Sequence, residues 1–272
     1  MPSREVHSWL RTRFFPHMWC PGCGHGIILH ALLRALVAAG KDPTNTVIAS
    51  GIGCSSRMPG YIDACTLHTT HGRSLGFATG IKLSRPKLTV IDVMGDGDCS
   101  AIGGNHFIHA CRRNIDITAI VMNNNIYGMT GGQASPTTPA GALATTAPYG
   151  VVDRTFDLCR LAEGAGATFV ARTTIANPKQ AEKFIAEAVA HKGFSVVEVI
   201  SSCHTQYGRR NKRKTPISNI EFLKGASVSQ AKAQKMEPEE LLGKIVVGQF
   251  VNKEAPEYTD QYMSMVERVR QA

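Results

Sequence analysis

The segment Leu88-Thr89-Val90-Ile91-Asp92-Val93-Met94-Gly95-Asp96-Gly97-Asp98 decides how this chain folds. Its first part is a nearly unbroken apolar run, the pattern of a strand buried on both faces. Two glycines alternating with two aspartates follow at once, so the strand ends in a tight acidic turn. A second run answers it: Ile117-Thr118-Ala119-Ile120-Val121-Met122 leads into Asn123-Asn124-Asn125. Between them, 101–113 has the composition of a helix. A strand, a helix and a strand make one βαβ unit with the two strands parallel. The acidic turn and the asparagine run then reach the same edge of the sheet, where open α/β sheets bind their ligands.

The residue types at that edge suit a metal-bound diphosphate. Two glycines let the backbone turn sharply and approach a ligand closely. Asp96 offers a hard oxygen to a magnesium ion, and one amide carbonyl, one backbone carbonyl and ligand phosphates would complete its octahedral oxygen shell. A helix opening at Ser100, just behind the turn, would favour a phosphate group. Gly-Asp-Gly alone is no more than a turn; with the asparagine run one βαβ unit later it reads as a magnesium–diphosphate cradle.

Working outward, further strands are expected at 46–50, 167–170 and 194–200, and helices at 25–39, 74–83 and 178–191. Pro178 suits a helix first turn, and the residues after it are rich in Ala, Glu and Lys. The alternation predicts a doubly wound, mostly parallel α/β domain over 1–206. Residues 207–272 change character. They are basic, then polar-helical, with Pro216, Pro238 and Pro256 as punctuation, and read as an extension packing on the domain or on a partner subunit. The stretch 128–150, rich in Gly, Thr, Pro and Ala, is a long loop of the kind that carries function.

The 272 residues suffice for one large domain with an extension. The start Met1-Pro2-Ser3-Arg4-Glu5-Val6-His7 lacks a signal-peptide core, and no apolar stretch approaches the ~20 residues of a membrane span. A cytoplasmic protein without membrane contact is expected. The net charge of +9 is partly concentrated in Arg209-Arg210-Asn211-Lys212-Arg213-Lys214. That run is a solvated loop, or a dock for an acidic partner or for phosphates. No aromatic-interleaved motif accompanies it, so nucleic acid is not expected.

Eight cysteines in a reducing compartment argue for metal or catalytic use rather than disulfides. Cys20-x-x-Cys23 is a tight-turn ligand pair, Cys54 lies in a glycine-rich turn after the first strand, and Cys203 follows the last. Parallel strand ends can bring all four together. Thiolates suit iron–sulfur clusters and zinc alike. Cys65, Cys99, Cys111 and Cys159 have no such pattern and read as small buried hydrophobes.

Gly-Asp-Gly followed by Asn-Asn resembles the thiamine diphosphate signature. The likeness widens through Cys20-Pro21-Gly22-Cys23-Gly24-His25-Gly26, Gly51-Ile52-Gly53-Cys54-Ser55-Ser56-Arg57, His71-Gly72-Arg73 and Asn124-Asn125-Ile126-Tyr127-Gly128-Met129-Thr130-Gly131-Gly132-Gln133. In this order they resemble the β subunit of 2-oxoacid:ferredoxin oxidoreductases, most of all the 2-oxoglutarate type. The resemblance runs from about Cys20 to Tyr207.

It implies the thiamine diphosphate-binding fold and three cofactors: thiamine diphosphate, magnesium and one 4Fe–4S cluster. Asp96 and Asn124 would hold magnesium by side chain and Ile126 through its carbonyl. Gly95, Gly97, Asp98, Gly128 and Met129 would contact the diphosphate, and Ile52, Gly53, Cys54 and Ser55 would line the cofactor. His71 would sit near the diphosphate or the reacting carbon. Cys20, Cys23, Cys54 and Cys203 would carry the cluster. The implied reaction is reversible oxidative decarboxylation of 2-oxoglutarate to succinyl-CoA and CO2, open to running as carbon fixation, with electrons passed to ferredoxin. The implied partners are an α (or fused γα) subunit, ferredoxin, a 2-oxoacid and coenzyme A.

Arg57 is the candidate cation for the distal carboxylate of a dicarboxylate substrate, since the guanidinium fork pairs well with carboxylate. Two departures stand out. No local Glu offers itself to the aminopyrimidine ring, which implies a glutamate from the partner and an inactive isolated chain. Gly131 stands where relatives often carry Lys, which removes one expected coenzyme A contact. The rival readings are the same chemistry on pyruvate, branched-chain or aryl 2-oxoacids, a non-redox thiamine diphosphate decarboxylase with structural zinc, and an electron-transfer subunit with a vestigial cradle.

Overall fold

The computed structural model describes residues 4–271; Met1 to Ser3, part of the polar start, and Ala272 lie outside it. Eight strands form one sheet: β1 (Thr46–Ser50), β2 (Cys65–His68), β3 (Thr89–Gly95), β4 (Thr118–Asn123), β5 (Phe169–Thr174), β6 (Ser195–Ile200), β7 (Ser227–Ser229) and β8 (Ile245–Asn252). Their order is β2-β1-β3-β4-β6-β5-β8-β7. The first six are parallel, and β8 pairs antiparallel with β5. The chain leaves β1 toward one edge and β3 toward the other. The two loops between them therefore splay apart, which opens a crevice at the strand ends.

Alternate residues of β3 separate the two layers. Ile91 and Val93 join the core beneath helices His25–Ala38 and Pro178–Ala190. Val90 and Met94 join the other, beneath Ser74–Ser84, Gly104–Arg113 and Leu158–Gly164. β1, β4 and β6 are buried along their whole length, as expected for strands covered on both faces.

Three differences from the sequence reading have physical causes. The expected single helix after the acidic turn is two: Asp96–Ser100, then Gly104–Arg113. Ala101 is non-helical between them, and the Asp98 carbonyl lies where a side chain on Gly103 would go. The strand expected at 167–170 runs instead from Phe169 to Thr174. Arg172 breaks its apolar pattern, yet is mostly buried by pairing with Glu198 at 2.6 Å and with Asp157. Finally, the segment after Tyr207 contributes β7 and β8 to the sheet as well as helices. Every residue of β8 but its last is half-buried, which blurs the alternation that marks a strand.

Candidate active site

A cleft opens at the carboxyl ends of β1, β3 and β4. Its walls include Ile52, Gly53, Cys54, Ser55, His71, Gly95, Asp96, Gly97, Asp98, Asn124, Ile126, Gly128 and Met129. The fold thus brings together every residue read as cofactor-binding or magnesium-binding. His25, Met122, Tyr127 and Thr130 line it too, and sequence reasoning had not singled them out. A side chain on Gly97 would collide with the Tyr127 ring, whose hydroxyl donates to the Gly97 carbonyl at 3.3 Å. Gly97 is therefore glycine because the hydroxyl end of an aromatic ring occupies the place of a side chain.

Asp96 heads the short helix after β3 and is buried. Its Oδ1 accepts the Asn124 backbone N–H at 3.4 Å; its Oδ2 accepts the hydroxyls of Thr137, at 2.7 Å, and Ser135. Burial pushes the Asp96 carboxyl above the usual carboxylate range, against these hydrogen bonds. A divalent cation would offset that cost, so the donor set fits a magnesium ion. Ser135 and Thr137 come from the long loop after β4. Their signal in the sequence was only its Ser/Thr content.

The three asparagines divide their tasks. Asn123 turns away from the cleft and donates to Glu198 at 2.7 Å. Asn125 adopts positive φ and donates to the Thr137 carbonyl at 2.9 Å. Asn124 alone lines the cleft beside Asp96, with its Oδ1 accepting the Ile126 N–H at 3.3 Å.

The four clustered cysteines converge. Cys20 and Cys203 both reach the Thr205 hydroxyl, at 3.9 and 3.6 Å. A side chain on Gly128 would stand 3.3 Å from the Cys203 sulfur, 3.8 Å from the Cys54 sulfur and 3.8 Å from the Asn124 amide. Burial pushes the Cys23 thiol up to about 12 and Cys54 to about 11, and neighbouring thiols push the same way. The Cys20–Cys23 turn closes through the Cys23 N–H and the Cys20 carbonyl at 2.9 Å. Trp19 anchors the Cys54 loop by donating to the Cys54 carbonyl at 2.6 Å. Cys203 caps a wide turn, His204–Gly208. Of the other four, Cys99, Cys111 and Cys159 are buried as expected, but Cys65 is exposed, because β2 is a sheet edge.

His25 is buried in the wall of the cleft, and burial pulls it down to about 4, favouring the neutral ring. It meets the Ser201 hydroxyl at 3.0 Å. Arg57 does not line the cleft of this chain. It is exposed on the 3-10 segment Ser55–Tyr61, where its charge favours the Cys54 thiolate. Glu198 is tied to Arg172 and Asn123 and lies outside the cleft wall. Ile52 and Met129 at the rim are about two-fifths exposed (40% and 43%), leaving the mouth uncovered on one side.

This architecture, a strand-end cleft holding a buried aspartate–asparagine pair, defines a diphosphate-binding enzyme of the thiamine type. The model of the thiamine pyrophosphate enzyme C-terminal TPP-binding domain matches residues 48–199, more than half of the chain. The 2-oxoglutarate synthase subunit KorB of Methanocaldococcus jannaschii is 52% identical over 263 residues, covering 97% of each chain. The corresponding subunit of Archaeoglobus fulgidus is 55% identical over 81% of this chain and 80% of its own. A solved 2-oxoglutarate:ferredoxin oxidoreductase from Magnetococcus marinus, with 2-oxoglutarate, coenzyme A and succinyl-CoA bound, superposes with a TM-score of 0.87. It is 34% identical, over 99% of this chain and 92% of that one. The chain belongs to the thiamine pyrophosphate enzymes and, within them, to the β subunits of 2-oxoacid:ferredoxin oxidoreductases of the 2-oxoglutarate type.

Proposed function

We propose that this chain, with an α subunit, converts 2-oxoglutarate and coenzyme A reversibly to succinyl-CoA and CO2 and hands the electrons to ferredoxin. The observation that carries the reading is Gly128. At this one glycine the magnesium end of the cleft, marked by Asn124, meets two thiols of the cysteine group. A carbon that loses CO2 in the cleft is thus within a few side chains of an electron acceptor held by the same chain. Similarity to 2-oxoglutarate synthase subunits supports the substrate.

Bound thiamine diphosphate supplies the electron sink for decarboxylation. The chain's own residues do the rest. Asp96 and Asn124 would hold magnesium by side chain and Ile126 by its carbonyl, with Ser135 and Thr137 fixing the Asp96 carboxylate. Gly95, Gly97, Gly128 and Met129 present backbone to the diphosphate. Cys20, Cys23, Cys54 and Cys203 would hold a 4Fe–4S cluster. Cys54 lies both in the cleft wall and beside the other thiols, which suits a group that takes up electrons, a role zinc cannot fill.

The uncovered rim at Ile52 and Met129 is where the α subunit would close the site and bring the glutamate this chain lacks. Eight free cysteines fit a reducing, cytoplasmic setting. No helix among the described residues is long and apolar enough to cross a membrane.

The test is product analysis with the co-purified complex under anaerobic conditions. Succinyl-CoA and CO2 are expected in equal amounts from 2-oxoglutarate and coenzyme A, with pyruvate a poor substitute. Equal use of pyruvate would correct the substrate, and no product from any 2-oxoacid would overturn the reading. In the same assay Arg57→Ala, if Arg57 pairs with the distal carboxylate at the closed interface, raises KM for 2-oxoglutarate about tenfold or more and leaves KM for pyruvate unchanged. Equal effects on both would remove Arg57 from substrate binding.

The electron carrier has a candidate dock. Arg209, Lys212 and Lys214 are exposed and form no ion pair among the described residues. The run follows the Cys203 turn, and Pro216 just beyond packs against Gly22 of the Cys20–Cys23 loop. Reversing these three charges to Glu should slow reduction of an acidic ferredoxin about tenfold at low salt, with the loss shrinking as salt rises. Viologen reduction should not change. Equal losses with both acceptors would rule out a docking role.

A further inference from the structure

Asp98 sits in the diphosphate signature, yet its side chain is turned into the protein. The carboxylate is almost fully buried, with 1% side-chain exposure. Its Oδ1 accepts the Gly72 N–H at 2.6 Å and the Ile52 N–H at 3.4 Å, and meets His71 Nδ1 at 2.8 Å. Its Oδ2 accepts the Ser56 hydroxyl at 3.5 Å. Every donor comes from one of two loops that wall the cleft, the turn after β1 and the turn after β2. A side chain on Gly51 would collide with this carboxylate, and one on Gly72, whose φ is +69°, would collide with Ile102 and Gly103. Both loops are therefore built to close onto Asp98. An anion so occupied has no donors to offer a diphosphate, and a bare carboxylate repels one.

His71 shows what the arrangement achieves. Its Nδ1 faces two acceptors, Asp98 Oδ1 and the Ile52 carbonyl at 3.2 Å. Nδ1 must carry the proton, which fixes the tautomer and the ring plane and leaves Nε2 as the nitrogen available to the cleft. The ring lies 6.0 Å from that of Tyr127, which rests on Gly97.

We propose that Asp98 is a positioning residue rather than a diphosphate contact: its buried carboxylate clamps the Gly51-to-Ser56 and His71–Gly72 loops into one wall and presents His71 Nε2 to the reacting carbon. The role of His71 rests on the function proposed above; the clamp does not.

Two measurements on the holo-complex test it: thiamine diphosphate affinity by titration, and kcat and KM with 2-oxoglutarate. Asp98→Asn keeps the shape and one acceptor oxygen but removes the negative charge that the Gly72, Ile52 and His71 donors share. It should lower kcat about 30-fold with KM for 2-oxoglutarate within threefold, and weaken cofactor affinity about tenfold. In a His71→Ala background the same substitution should lower kcat less than threefold, since the residue it positions is gone. Multiplicative losses, or an unchanged Asp98→Asn enzyme, would overturn the proposal. If Asp98→Asn does not fold, His71 variants decide. His71→Asn retains a donor toward Asp98 and should keep cofactor affinity within threefold of wild type, whereas His71→Ala should weaken it about tenfold. Equal affinity in the two would remove the clamp. Cofactor affinity is read without turnover, so a wild-type complex inactive on 2-oxoacids would count against the function and not against Asp98.

Discussion

Asp96→Ala is expected to cut 2-oxoglutarate-dependent turnover of the complex by about 1,000-fold or more and to leave thiamine diphosphate bound only weakly, because a hard carboxylate is the main charge this chain offers magnesium. Asn124 and Ile126 would contribute only neutral carbonyls, which cannot replace it. The effect should be one of function rather than folding. Asp96 is buried against Ser135 and Thr137, and burial disfavours its charge when no cation is present. Without metal the variant should therefore be about as stable as the wild type. With magnesium and cofactor the wild type alone should gain stability, through binding to the native state only. The check is a pair of melting curves with and without cofactor, beside turnover. Turnover within tenfold of wild type would mean that the cradle is vestigial and would revive the electron-transfer reading.

Cys54→Ser should be nearly as severe, and in a different way. Cys54 lines the cleft and also belongs to the thiol group. A serine oxygen is a poor ligand for iron where thiolate is required. The purified complex should lose most of its iron and acid-labile sulfide, and acceptor reduction should fall at least about 100-fold. Exchange of labelled CO2 into 2-oxoglutarate needs the cleft but no electron exit, and should persist. Loss of exchange together with iron would mean that the Cys54 turn holds the cofactor itself. Unchanged iron would remove Cys54 from the cluster. Cys203→Ser should behave alike, since both sulfurs approach Gly128.

The parallel core was legible because β1, β3, β4 and β6 are covered on both faces, and their apolar runs say so directly. What escaped was half-exposed or charge-containing. β8 is half-buried along nearly its whole length, and β5 hides Arg172 inside an ion pair. No local pattern announces either, because each depends on a distant partner: Arg172 on Glu198 and Asp157, β8 on β5. At the site, motif spacing identified which residues reach the strand ends. It could not say which way each side chain turns. Asp98 carries the right letter for a diphosphate contact, but its carboxylate is held by Gly72, Ile52 and His71. Asn123 and Asn124 are neighbours, yet Asn123 is tied to Glu198 while Asn124 lines the cleft. Ser135 and Thr137 reach Asp96 from a loop whose path is set by the folded domain.

In the function proposed here, one chain joins a decarboxylating cleft to an electron acceptor across Gly128. The most direct measurement is the absorbance of the complex near the iron–sulfur band when 2-oxoglutarate is added without oxygen or an external acceptor. The band should bleach within the dead time of turnover, only with thiamine diphosphate and magnesium present, and far less with pyruvate. If an iron-replete, cofactor-loaded complex keeps an unchanged spectrum on addition of any 2-oxoacid, the cleft does not feed electrons to the cysteine group.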